Sequence, residues 1–281
     1  MSIAGGYYRA VEAGHSAKCD CVQIFTKNNN QWRAKEIKPE EAAKFQQTLR
    51  ALSIHHPLSH SSYLINLATP DKDLWKKSVD AFVIELQRAD LLGVPYVVLH
   101  PGAYTSGSEQ QGLTAIVRAL DEIHRQTQGL TSQCLLETTA GQGSTIGWRF
   151  EQLAEIIARA HDPERLGICF DTCHVFAAGY PLTAEKDYRA TMRQFHKTVG
   201  VPLIKAFHLN DSKRELGSRV DRHEHIGRGC LGKRAFANLL ADRRFRQTPM
   251  YLETAKGEEK GQNLDVVNLT LLRKLAKADA T

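Results

Sequence analysis

A barrel of parallel β-strands wrapped by α-helices is the fold this sequence predicts, and three observations predict it. Short β-branched or apolar runs alternate with amphipathic helical stripes along the chain. Several of those runs are continuously apolar, as strands covered on both faces are. No low-complexity linker or short-period repeat interrupts the series, so the βα units belong to one sheet.

The elements follow in order. The chain opens on "SIAGGYYRAVEAG", a turn leading into a helix with no strand before it. The strand runs cover residues 21–26, 52–56, 96–100, 134–137, 166–171, 203–208 and 250–253. Between them, Trp75, Val79, Phe82, Val83 and Leu86 fall at i, i+4, i+7, i+8 and i+11, the apolar face of a helix. Leu113, Ile116, Val117, Leu120 and Ile123 repeat that stripe. Leu153, Ile156 and Ile157 do so again, as do Leu269, Leu272 and Leu275. Seven strands are one short of an eightfold barrel. The expectation is therefore a single domain, residues 1–281, with its first strand missing or reduced to a stub. Its length suits one barrel of about 250 residues.

Composition excludes several classes. An apolar share of 42% and a charged share of 24% are ordinary for a globular chain. The net charge of +6 admits a polyanionic partner such as nucleic acid. No stretch approaches the ~20 apolar residues of a membrane span, and the N-terminus lacks the basic start and apolar core of a signal peptide. Six cysteines without a CxxC pair suggest neither a zinc finger nor a disulfide framework. "NLT" at 268–270 is a chance match to the glycosylation pattern. A reducing, cytoplasmic compartment is expected.

The strand ends carry the chemistry. His100, Glu137, Asp171, His208 and Glu253 each close one of the runs, and His60 follows in "PLSHSSYLIN". In a parallel barrel the C-terminal strand ends share one face, where such folds keep their chemistry. A single histidine there is more often a structural hydrogen-bonder, and a single aspartate more often a helix cap. A series built only from His, Asp and Glu is better explained by metal binding. "DTCH" places Asp171 and His174 three apart, and "DRH" within "SRVDRHEHIGRG" places Asp221 and His223 two apart. Histidine with carboxylate suits zinc or manganese in a hydrolytic site. Cys173 could add a thiolate but reads better as a small core residue. With one carboxylate shared, these nine groups suffice for three zinc ions. Their charge outweighs the four carboxylates, leaving a cationic pocket suited to a phosphate diester.

The motifs "SYLINLA", "LHPGAY", "LETTAGQGSTIG", "FDTCHVFAAGY", "FHLNDSKRELGSRVDRHEHIGRG" and "LETAKG" resemble those of the endonuclease IV family of apurinic/apyrimidinic (AP) endonucleases. The resemblance runs through six ordered motifs over nearly the whole chain. It implies an (α/β)8 TIM barrel with a trinuclear zinc centre, manganese replacing part of the zinc in some cases. His60 and His100 would hold one zinc, with Glu137 bridging it to a second. Asp171, His208 and Glu253 would complete that second site. His174, Asp221 and His223 would hold the third. Glu137 and Glu253 also carry the catalytic assignment. The implied activity is that of a deoxyribonuclease IV. It hydrolyses the phosphodiester 5′ to abasic sites in duplex DNA, leaves a 3′-hydroxyl and a 5′-deoxyribose phosphate, and trims blocked 3′ ends.

The resemblance also implies two DNA-reading loops, "TKNNNQWR" (26–33) and "HSSYLIN" (60–66). Tyr63 and Leu64 would fill the gap left by a flipped-out nucleotide, and Asn28, Asn30 and Gln31 would meet the backbone. Asn30 stands where relatives carry arginine. Trp32 is expected in the core, and His225 is not expected among the ligands because the motif stops at His223. The family's first strand precedes "SIAGG", and a start codon assigned too late is the expected reason for its absence. A monomer is expected. Two rival readings remain: a metal-dependent sugar isomerase or epimerase of the same barrel type, and an inactive DNA-binding remnant. A third metal set argues against the first, and nine intact ligand positions argue against the second.

Overall fold

Buried apolar runs and capped helices alternate through residues 1–278, the span that the computed structural model describes. They gather into two units.

The first unit holds Met1–Glu137 together with Ser144–Ile146 and Gln152–Gly167. It begins with helix α1 (Tyr7–Ser16), without a preceding strand, as expected. Then β1 (Gln23–Ile24), α2 (Pro39–Ala51), β2 (Leu58–His60), α3 (Lys72–Leu92), β3 (Tyr96–Leu99), α4 (Glu109–Gln126) and β4 (Gln133–Glu137) alternate. Most of α5 (Phe150–Arg159) also belongs here. The strands pair in parallel in chain order, with Gln23 opposite Leu58, Ser59 opposite Val97 and Val98 opposite Leu135. Val97, Val98, Leu135 and Leu136 are fully buried, so the continuous apolar runs reflect cover on both faces. Because all four strands run the same way, His60, the residue after Leu99, and Glu137 arrive at one end.

Helix signals are local. Asp71 caps α3 by accepting from the N–H groups of Asp73 and Leu74. Gly93 ends the same helix in the left-handed conformation, at φ 70°. Ser108 and Gln111 form a reciprocal capping box on α4.

One expected strand is displaced. Residues 52–56 form the turn and irregular exit after α2 rather than a strand, and β2 begins at Leu58. Leu52 N–H donates to Thr48 O, and Ile54 N–H donates to Leu49 O. Ser53 and His56 adopt φ of 52° and 51°, which no strand accommodates. The buried Ile54 mimicked a strand because a helix exit can also bury an apolar side chain.

The second unit contains Thr138–Gly143, Gly147–Glu151 and the chain from Ile168 onward. Its elements are β5 (Leu166–Asp171, entering at Ile168), α6 (Thr172–Ala177), α7 (Glu185–Thr198), β6 (Ile204–His208), β7 (Asp211–Ser212), β8 (His223–Glu224), α8 (Gly232–Ala241), β9 (Met250–Tyr251), β10 (Glu258–Glu259), β11 (Gln262–Asn263) and α9 (Leu264–Ala278). β5, β6 and β9 are parallel neighbours, and Asp171 lies directly opposite His208. Behind them is an aromatic core: Phe170 and Phe150 both meet Phe195 edge-on, and Phe207 meets Phe245. The pairing of β7 with β8, Ser212 opposite His223, was not foreseen. Its effect is to anchor the charged loop at the histidine itself.

No helix among the described residues is long and apolar enough to cross a membrane. No disulfide joins the six cysteines.

Candidate metal centre

In the first unit, the ends of β2, β3 and β4 bring His60, His100 and Glu137 together. His60 Nε2 lies 3.2 Å and His100 Nε2 3.0 Å from the same Glu137 oxygen. Glu137 is fully buried. The His60 Nδ1 nitrogen lies 2.8 Å from Ser61 O, an acceptor only, so Nδ1 carries the proton there. In the neutral ring, Nε2 then presents a lone pair to a carboxylate. Two acceptors facing each other at hydrogen-bond distance in a buried site is an arrangement that a cation between them resolves.

The second unit repeats the pattern. Asp171, closing β5, caps α6 by accepting from His174 N–H at 2.7 Å, so one turn of helix delivers His174 beside it. His174 Nδ1 donates to Thr138 O at 2.8 Å, so in the neutral ring Nε2 carries the lone pair. That Nε2 lies 3.1 Å from an Asp221 carboxylate oxygen and 3.3 Å from His223 Nε2. His223 Nδ1 in turn lies 3.3 Å from Glu253 O. Both imidazoles therefore direct lone pairs at one point, beside a carboxylate 3.3 Å from His223 Nε2. This donor set, two imidazoles and a carboxylate, fits zinc. A further set forms where β5, β6 and β9 end: His208 Nδ1 is 3.0 Å from Glu253 and 3.9 Å from Asp171.

Three supporting residues escaped the sequence reading. Asn210 is fully buried, donates its amide to Asp171 at 2.6 Å and accepts from Glu253 N–H at 3.0 Å. It thereby ties together the backbone or side chain of two expected ligands. Its only signal was a polar residue two places after His208, which reads equally well as a turn. Thr138 Oγ1 accepts from Asp171 N–H at 2.9 Å. Gln142 accepts from Asp221 N–H at 3.2 Å and so anchors the charged loop.

Two neighbours of the candidate ligands have partners of their own, although Cys173 also comes together with Asp221 and His223 in a group that could hold a metal. Cys173 is buried, and burial together with the negative charge of Asp171 pushes its thiol up to about 12. Its Sγ donates to Arg222 O at 3.7 Å. His225 Nδ1 meets the Asn268 amide at 3.0 Å, in a separate hydrogen-bonded group with Thr254.

The two expected recognition loops meet in the first unit, where Ser62 Oγ donates to Asn29 O at 2.6 Å. Asn28, Asn30 and Gln31 are exposed at the turn, which Asn28 stabilises by accepting from Asn30 N–H. Tyr63 is 57% exposed even though its ring packs 5.3 Å from that of His60 and 6.2 Å from that of His100. Leu64 is half-buried beside it. Trp32, expected in the core, is only half-buried, and its ring carries the Lys77 ammonium 4.3 Å from its centre.

Against known proteins, residues 10–271 match the model of the xylose isomerase-like TIM barrel family. A protein of Chloroflexus aggregans named probable endonuclease 4 is 48% identical over the whole of this chain and 97% of its own length. Another so named, from Geobacter sulfurreducens, is 44% identical over the whole chain and 94% of its own length. The chain belongs to the endonuclease IV family. The crystal structure of endonuclease IV from Thermus thermophilus superposes with a TM-score of 0.85 at 35% identity, covering 99% of this chain and 97% of that one. The fold is accordingly the TIM barrel that the sequence predicts. A D-tagatose 3-epimerase-like protein, 18% identical with a TM-score of 0.70 over 93% of this chain, shares the fold alone.

Proposed function

We propose that the chain is a zinc-dependent AP endonuclease acting in base excision repair. It hydrolyses the phosphodiester 5′ to an abasic site in duplex DNA, leaving a 3′-hydroxyl and a 5′-deoxyribose phosphate, and it trims blocked 3′ ends. Residues 1–281 act as one catalytic domain, monomeric and cytoplasmic. The observation that supports this reading most is a third His and carboxylate cluster: His174 Nε2 lies 3.1 Å from Asp221 and 3.3 Å from His223 Nε2. A one- or two-metal sugar isomerase has no use for it.

His60, His100 and Glu137 would hold one ion, Asp171, His208 and Glu253 a second, and His174, Asp221 and His223 a third. Zinc supplies Lewis-acid chemistry, withdrawing charge from a phosphodiester and making water acidic enough to attack at neutral pH. The chain's own groups do the rest. Backbone carbonyls fix the tautomers of His60 and His174, so each offers the correct nitrogen without a proton to lose first. Glu137 and Glu253 carry the catalytic assignment as the carboxylates beside His60, His100 and His208. Tyr63 and Leu64 would fill the gap beside a flipped-out nucleotide, with Asn28, Asn30 and Gln31 on the backbone.

The test is a duplex oligonucleotide with one tetrahydrofuran abasic analogue. Incision 5′ to the lesion, lost after prolonged chelation, is expected. Tight binding without incision would favour an inert binder, and aldose–ketose turnover without DNA binding would favour the isomerase.

A further inference from the structure

Beneath the two loops assigned to DNA lies a buried ion pair that the metal chemistry does not use. Lys27 Nζ sits 3.2 Å from Glu85 Oε1, and both side chains are almost fully buried. Lys27 is in the first loop and Glu85 is in the middle of α3. Such a pair is a weak source of stability, since well-packed apolar replacements are often as stable or more so. What distinguishes it is where its remaining hydrogen bonds go.

Glu85 Oε2 accepts from Thr26 Oγ1 at 2.8 Å, in the first loop. Its other oxygen accepts from Ser62 N–H at 3.3 Å, in the second loop. Lys27 Nζ donates to Gln31 O at 2.7 Å, reaching across the turn that presents Asn28 and Asn30. Ser62 Oγ closes the ring by donating to Asn29 O. One carboxylate on a rigid helix and one ammonium thus fix both loops at once. The residues they hold between them, Asn28 to Gln31 and Tyr63 to Leu64, are those left exposed or half-exposed.

We infer that Lys27 and Glu85 are positioning residues that hold the two loops in a single arrangement ready for damaged DNA. The inference rests on the endonuclease reading for what the loops bind. The arrangement of the loops themselves can be read without DNA. The pair is neutral overall, so removing both charges leaves the net charge unchanged and leaves non-specific attraction to phosphate intact. Any loss is then one of positioning.

The experiment replaces the pair with apolar side chains, Lys27→Met with Glu85→Leu, in the full chain. Zinc content and melting temperature should match the unsubstituted protein. KM for the tetrahydrofuran duplex should rise about tenfold, with kcat changed by less than about twofold. Amide hydrogen exchange at residues 28–31 and 62–64 should quicken, and this readout decides the matter even if the unsubstituted protein incises nothing. Should the double variant not fold, Glu85→Gln, which keeps an acceptor for Ser62 N–H but leaves Lys27 without its countercharge, should still raise KM and quicken exchange. Unchanged KM and unchanged exchange overturn the inference. So does a parallel loss of zinc and kcat, which would mark the pair as part of the general framework.

Discussion

A neutral histidine whose Nδ1–H is committed to a carbonyl presents a lone pair at Nε2, and His60 and His174 are both held with Nδ1 against a carbonyl. In each unit, that constraint suits the surrounding polar side chains to holding a cation. The support extends outward to Asn210, whose amide holds one oxygen of Asp171 while His174 N–H holds the other. Asn210→Ala should leave the fold intact, yet weaken zinc retention by about 10–100-fold, the usual effect of losing a group that orients a ligand. Competition with a chromogenic chelator measures it, and retention equal to that of the unsubstituted chain would remove Asn210 from the site. The candidate ligands stand out in the sequence because few residue types bind zinc and those types recur at or just after the strand runs. Asn210 does not, because asparagine after a strand is an ordinary turn residue. Lys27 and Glu85 were hidden for a different reason: they lie 58 places apart and nothing in either neighbourhood points to the other.

At the level of elements, α4 carries a built-in pH dependence. His124 lies in its last turn, where the helix dipole would favour a charged ring. Burial and then the positive charge of Arg165 outweigh that, pushing its pKa down to about 4. The unfolded chain would titrate near 6.5, so the fold prefers the neutral ring. The contribution of this residue to stability is present in full above about pH 6.5 and is lost as pH falls toward 4. Urea midpoints should decline across that window more steeply in the unsubstituted protein than in His124→Gln, which cannot titrate. Identical declines would contradict the assignment. The same scale shows where sequence patterns mislead. Helices α3, α4, α5 and α9 were legible from their stripes, and β5 from its continuous run. Residues 52–56 were not, because a buried Ile54 with left-handed neighbours looks like a strand until the backbone is seen. The two-residue pairing of β7 with β8 is too short to leave a pattern at all.

For the molecule as a whole, fold and family were legible because the six motifs stand in order along nearly the entire chain, and the comparison with known relatives covers it end to end. The basic balance of +6 fits a polyanionic substrate without specifying one. The barrel alone does not distinguish hydrolysis, since a D-tagatose 3-epimerase-like protein shares the fold, and in the proposed function it is the number of metals that does so. Elemental analysis of the purified, unchelated protein tests that claim most directly. About three zinc ions per chain are expected, any manganese counting toward the same total, as nine ligands with one shared carboxylate require. A reproducible value of one ion per chain would contradict the account.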